Sequence, residues 1–159
     1  MALHKLIVDD FYDTDFSLIA IHCQVEDYRI SYLLNKHLDI NLKRKEKDLD
    51  FNYFMASYPI FEYDCKESCI KWHLISNVCV TEVEGLQSSG SLFELEQKTI
   101  KTHYLVPEKK KVNYFLKIEN DNQDFNEQLI IQDLLKIPQV IASYSVNADE
   151  LKSKNHLIF

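Results

Sequence analysis

A chain of 159 residues, 46% of them hydrophobic, is the size of a single domain that buries about 70% of its unfolded surface and needs neither disulfide nor metal for stability. Its net charge of -7 argues against an anionic lipid surface as partner. Only two glycines occur, Gly85 and Gly90, which excludes the P-loop and the dinucleotide-binding turn, whose backbones need glycine where they approach phosphate.

No Gly-x-Ser-x-Gly elbow and no His-Glu-x-x-His helix is present, which removes two common hydrolase readings. Cys23, Cys65, Cys69 and Cys79 follow no disulfide-framework spacing, and the N-terminal run MALHKLIVDD lacks the apolar stretch of a secretory signal; free thiols in a reducing cytoplasm are expected. No apolar run approaches the ~20 residues that span a bilayer.

In chain order, the short apolar run Leu6–Val8 precedes an acidic loop with Asp9, Asp10, Asp13 and Asp15. Lacking the glycine and terminal glutamate of a calcium loop, it is expected to be solvated. Phe16–Cys23 suits a buried strand. Val25, Ile30, Leu33, Leu34 and Leu38 then recur at helical spacing, with Glu26 and Asp27 at the start and Lys36 and His37 at the end, an order that matches the helix dipole. Ile40 and Leu42 suggest a brief strand, and the charged run Lys43–Asp50 an exposed loop.

Tyr53–Tyr63 is β-favouring, with Pro59 marking an edge or bulge. After a polar loop at Asp64–Ser68, the residues Ile70, Trp72, Leu74, Val78 and Val80 would share one face of a strand running from Cys69 to Thr81, giving a hairpin. Glu82–Ser91, with both glycines and three serines, reads as a mobile loop joining half-domains 1–84 and 91–159 of a single domain.

The strongest pattern is Thr99–Ile118: Ile100, Tyr104 and Val106, then Val112, Tyr114, Leu116 and Ile118 occupy alternate positions, the period of half-buried strands. A hairpin is expected, with Tyr104 across from Tyr114, Val106 across from Val112, and a tip at Pro107–Lys111. A polar turn at Asn120–Asp124 leads to a second amphipathic helix marked by Phe125, Leu129, Ile131, Leu134 and Leu135 and stopped by Pro138. Val140, Ala142, Tyr144 and Val146 form a last strand. The whole predicts an α+β fold, an antiparallel-dominated sheet with two amphipathic helices on one face.

Val106-Pro107-Glu108 followed after three residues by Val112-Asn113-Tyr114 resembles the signature of the IPExxxVDY family of Bacteroidota proteins. Pro107, Glu108, Val112 and Tyr114 match, while Val106 and Asn113 stand where the pattern has Ile and Asp. The likeness extends through HKLIVDDF at 4–11, LIAIH at 18–22, EDYRISYLLN at 26–35, IPQVIASY at 137–144 and LKSKNHLIF at 151–159. It implies a family and brings no activity with it.

Chemistry-bearing residues give weak constellations. Cys69, His73 and Cys79 would lie on one side of an unbroken strand, with Cys65 near, but Cys-x3-Cys is not the paired knuckle of a structural zinc site, so no metal is expected. Glu108 with His103 or Tyr104 sits at an exposed tip, poorly placed for acid–base work. Lys43-Arg44-Lys45 with Lys47, and Lys109-Lys110-Lys111, would make a phosphate-binding surface if they converged.

The sequence therefore predicts a non-enzymatic cytoplasmic interaction protein, a homodimer or an adaptor, with no cofactor. Its partner would be met by Pro107, Glu108, Lys109, Lys110 and Lys111 at the hairpin tip and by the terminal Leu157, Ile158 and Phe159. An accessory factor in RNA metabolism or on the ribosome, and an enzyme of an unfamiliar class, are the alternatives.

Overall fold

The computed structural model describes residues 16–51, 55–84, 98–120 and 125–159. The N-terminal acidic loop, both glycines, most of the 82–91 loop and the 121–124 turn lie outside these.

The described residues form ten strands and two α-helices: β1 (Phe16–His22), α1 (Asp27–Leu38), β2 (Lys43–Arg44), β3 (Leu49–Phe51), β4 (Ala56–Tyr58), β5 (Ile60–Cys65), β6 (Ile70–Ser76), β7 (Val78–Glu84), β8 (Lys98–Tyr104), β9 (Tyr114–Asn120), α2 (Glu127–Leu135) and β10 (Ala142–Val146). The main sheet is antiparallel in the order β10-β1-β9-β6-β5-β2, with separate ribbons β3-β4 and β7-β8. The fold is α+β. Among the described residues, no helix is long and apolar enough to cross a membrane.

β9 is the centre. It pairs with β1 on one side and β6 on the other, so strands from both halves of the chain interleave in one sheet. Its run Tyr114, Phe115, Leu116 is apolar without alternation, the pattern of a strand covered on both faces. On one face Leu116 and Ile118 meet Ile19, Ile21, Trp72 and Leu74 under Ile30 and Leu34 of α1 and Ile131 and Leu134 of α2. Both helices share this face. On the other, Phe115 meets Leu18, Ala20 and Ile75 under Ala56 and Tyr58, the loop residues Leu105, Val106 and Val112, and Leu151 and Leu157 of the tail.

The central hairpin expected from Thr99–Ile118 does not form. Tyr104 pairs with Val78 and Tyr114 with Ser76 and Ile21. The physical reason is Asn77, which breaks the expected Cys69–Thr81 strand in two. Its side chain takes the Val106 N–H and the Val112 carbonyl, so neither residue has those groups left to pair across a hairpin. Val78 and Val80 consequently leave the face shared by Trp72 and Leu74 and join the ribbon. The β5–β6 hairpin does form, with Cys69 at a left-handed φ of 52° closing its turn.

Other elements follow their sequence signals closely. α1 ends at Asp39 in the left-handed region, and the Asn35 side chain holds Leu42 through both its N–H and its carbonyl; Ile40 and Leu42 are loop, while Lys43–Arg44 is the strand. In α2 the buried stripe is Ile131 and Leu134, with Leu129 and Leu135 exposed, because positions three apart share a face of the helix. Pro59 separates β4 from β5.

Candidate functional site

Leu105–Asn113 carries the chain from the ribbon into the sheet. Pro107 begins a 3-10 turn through Lys109, as its fixed φ allows. The Lys109 N–H donates to the Val106 carbonyl at 3.0 Å and the Val112 N–H to the Lys109 carbonyl at 3.0 Å. Val106 and Val112 are buried, and Pro107, Glu108, Lys110 and Lys111 project outward.

The segment is fastened at four points. Fully buried Asn77 accepts from Val106 N–H at 2.8 Å and donates to the carbonyls of Lys109 and Val112, both at 2.9 Å. Asn113 Oδ1 accepts the Cys23 N–H at 3.0 Å; an Asp carboxylate would offer the same acceptor. Tyr114 Oη donates to the Val25 carbonyl at 2.7 Å, and burial pushes its hydroxyl pKa up. Glu108 accepts from Ser153 twice, N–H to Oε1 at 2.9 Å and Oγ–H to Oε2 at 2.7 Å. Those bonds to Ser153, led by the hydroxyl, hold its carboxyl below the usual range.

Glu108 thus ties the loop to the tail. His156 Nδ1 bonds the Leu105 carbonyl at 2.7 Å, and because a carbonyl only accepts, that nitrogen carries the proton. Leu157 is fully buried in the core, whereas Ile158 and Phe159 are each 41% exposed. Of the three apolar terminal residues, one is structural and two reach the surface.

Around the loop the sheet leaves a hollow of about 320 Å³ lined by Pro107–Val112 and Tyr144. Tyr144 Oη is 3.2 Å from His22 Nε2, and Lys110 Nζ lies 5.9 Å from the Tyr104 ring centre. Among the described residues, no ion pair engages Lys109, Lys110 or Lys111. In the other basic run Arg44 pairs with Asp27 and Asp48, and Lys45 with Glu62, while no ion pair engages Lys43 or Lys47 among the described residues. This run sits on β2, three strands from β9, into which the lysine loop leads, about 14 Å across the sheet at ~4.8 Å per strand.

A second polar group lies under the end of the tail. His73 and Lys117 face each other across β6 and β9, with Glu62 next to His73 on β5. His73 Nε2 is 3.0 Å from Glu62 Oε2, and Lys117 Nζ is 2.5 Å from Glu119 Oε1. The Lys117 ammonium sits between two rings, 4.8 Å from Phe16 and 4.4 Å from Phe159, and Phe159 also meets His73 edge-on at 5.2 Å. Burial lowers the His73 pKa. The neutral ring donates from Nε2 to the carboxylate, leaving Nδ1 as a buried acceptor without a partner among the described residues. Lys117 and His73 are buried, whereas the Glu62 and Glu119 carboxylates that they meet are about a third exposed.

Cys69 and His73 are separated from Cys79 by the break at Asn77: Cys69 is in the β5–β6 turn and Cys79 is on the ribbon, packed against the core. The four cysteines are unpaired. Sequence reasoning missed Asn77 and Lys117. The only signal was a polar interruption of each of two apolar runs, Ser76-Asn77 in ISNVCV and Lys117 in YFLKI.

No family model, curated protein or solved structure matches this chain.

Proposed function

We propose that this chain is a non-enzymatic interaction protein of the cytoplasm, an adaptor whose partner surface is the Pro107–Val112 loop together with the tail braced against it. The observation that carries the reading is the state of three consecutive lysines. They ring a hollow on an otherwise acidic molecule, free of ion pairs among the described residues, on a loop that Asn77 and the Glu108–Ser153 bonds hold in place. A loop already ordered loses little entropy on binding. Charges outside ion pairs remain available to steer and select one.

The test is affinity purification from the producing cell with wild type and with the K109E/K110E/K111E variant, each checked for unchanged melting. A stoichiometric protein that is recovered with wild type and lost from the variant supports the reading. Recovery of RNA alone, removed by nuclease, would replace it with the nucleic-acid alternative. Equal recovery from both chains would remove the loop from the interface.

A further inference from the structure

We infer that the partner is taken as an extended acidic segment that adds a strand to the outer edge of β10, its carboxylates reaching Lys109, Lys110 and Lys111. This rests on the loop reading above and states the partner's chemistry and mode of docking.

Among the described residues β10 is an edge strand. It pairs with β1 on one side, and among the described residues no strand pairs the other. Edges of soluble proteins are ordinarily blunted by charge, proline or a bulge. The sequence of β10, Ala-Ser-Tyr-Ser-Val, has no charge and no proline, and its register with β1 runs unbroken over five pairs. Tyr144 and Ser145 are exposed, and Ile141 just before the strand is 70% exposed.

Charge varies along this edge. Tyr144 forms one wall of the lysine hollow. Ser145 and Val146 line a second hollow of about 280 Å³ that also contains Glu127, Asp149 and Lys154, and Lys154 Nζ is 2.6 Å from Asp149 Oδ1. An added strand therefore meets net positive charge near Tyr144, three lysines against the Glu108 carboxylate, and a mixed, partly neutralised environment beyond Val146. Main-chain hydrogen bonds would supply the affinity and side chains at alternate positions the selectivity. On the side of the lysines, acidic residues two apart are the match.

A second copy of this chain fits less well. Tyr144 is the middle residue of β10, so antiparallel pairing of two such strands about it would bring two lysine loops together. The strand itself offers no carboxylate in exchange.

The experiment selects a phage-displayed library of random heptapeptides on the full chain and then walks N-methyl groups along the best peptide. The expected result is enrichment of acidic residues at alternate positions. Methylation should weaken binding at least tenfold at every second amide and less than twofold at those between, with at least tenfold loss against K109E/K110E/K111E. Failure to enrich, enrichment of basic or helically spaced residues, a methylation profile without period two, or a solution dimer that excludes the peptide would each overturn the inference. If a cellular protein is nevertheless lost from the lysine variant, the loop surface stands and only the acidic strand falls.

Discussion

Asn77 holds Val106 through a 2.8 Å bond from the valine N–H to its side-chain oxygen, although 29 residues separate them. With its amide nitrogen on the Lys109 and Val112 carbonyls, this one side chain satisfies three main-chain groups. Truncation strands the Val106 N–H and the Val112 carbonyl, while the Lys109 carbonyl keeps the Val112 N–H. At ~1–3 kcal/mol per buried polar group left without a partner, Asn77→Ala should destabilise by about 3 kcal/mol or more. Asn77→Asp should be no better, since it replaces the donors with a buried negative charge. Denaturant unfolding of both variants checks this, and a loss below about 1 kcal/mol in Asn77→Ala would remove Asn77 as the organiser of the loop.

Tyr114 contributes both a ring and a hydroxyl. Tyr114→Phe removes only the bond to the Val25 carbonyl and should lower stability by about 1–2 kcal/mol, whereas Tyr114→Ala should cost ~3–5 kcal/mol through the cavity it leaves. Equal losses in the two would mean that the ring contributes nothing beyond the bond.

The tail divides by burial. Leu157 is fully buried, so Leu157→Ala should cost ~2–5 kcal/mol. Phe159 is 41% exposed over Lys117, and Phe159→Ala should cost only about 1–2 kcal/mol, from partial burial and the cation–π contact. Thermal melts of the two variants measure the split; a reversed order would place the anchor at the last residue.

Glu108 and Ser153 should be coupled. Exposed hydrogen bonds to a carboxylate are worth little singly, and Glu108→Gln or Ser153→Ala should each cost about 1 kcal/mol or less. In a double-mutant cycle the second substitution should add almost nothing. Strict additivity would show that the bond does not brace the tail.

Acid should weaken the fold through His73. Its folded pKa lies below the ordinary 6.5 because burial disfavours the charged ring, so the unfolded chain binds the proton more readily. Its contribution is then fully present above pH ~6.5 and is lost as pH falls from there through the lower folded value. His73→Phe should flatten the slope of stability against pH in that window. Glu62, lowered chiefly by the Lys45 bond, acts in a more acid window, as pH falls from its ordinary 4.5 through its folded value. An unchanged slope between pH 6.5 and 5 in the variant would remove His73 as the cause.

Local pattern was enough for much of the fold. The helical stripe Ile30, Leu34 with dipole-matched ends determined α1, Pro138 bounded α2, and short β-favouring runs determined β1, β5, β6 and β10. Pairing was another matter. Period-two alternation says which residues share a face and nothing of which strand lies alongside, so Tyr104 and Tyr114 looked like cross-strand neighbours when β7 and β1 were their partners. What decided it was one long-range polar contact, Asn77 on the 105–113 loop, which no local window contains. The same holds for Glu108. Its exposure could be read from the polar tip, but its partner Ser153 lies 45 residues away and becomes a neighbour only because the buried Leu157 draws the tail across the sheet, where burial of apolar surface outweighs the entropy of ordering a terminal segment.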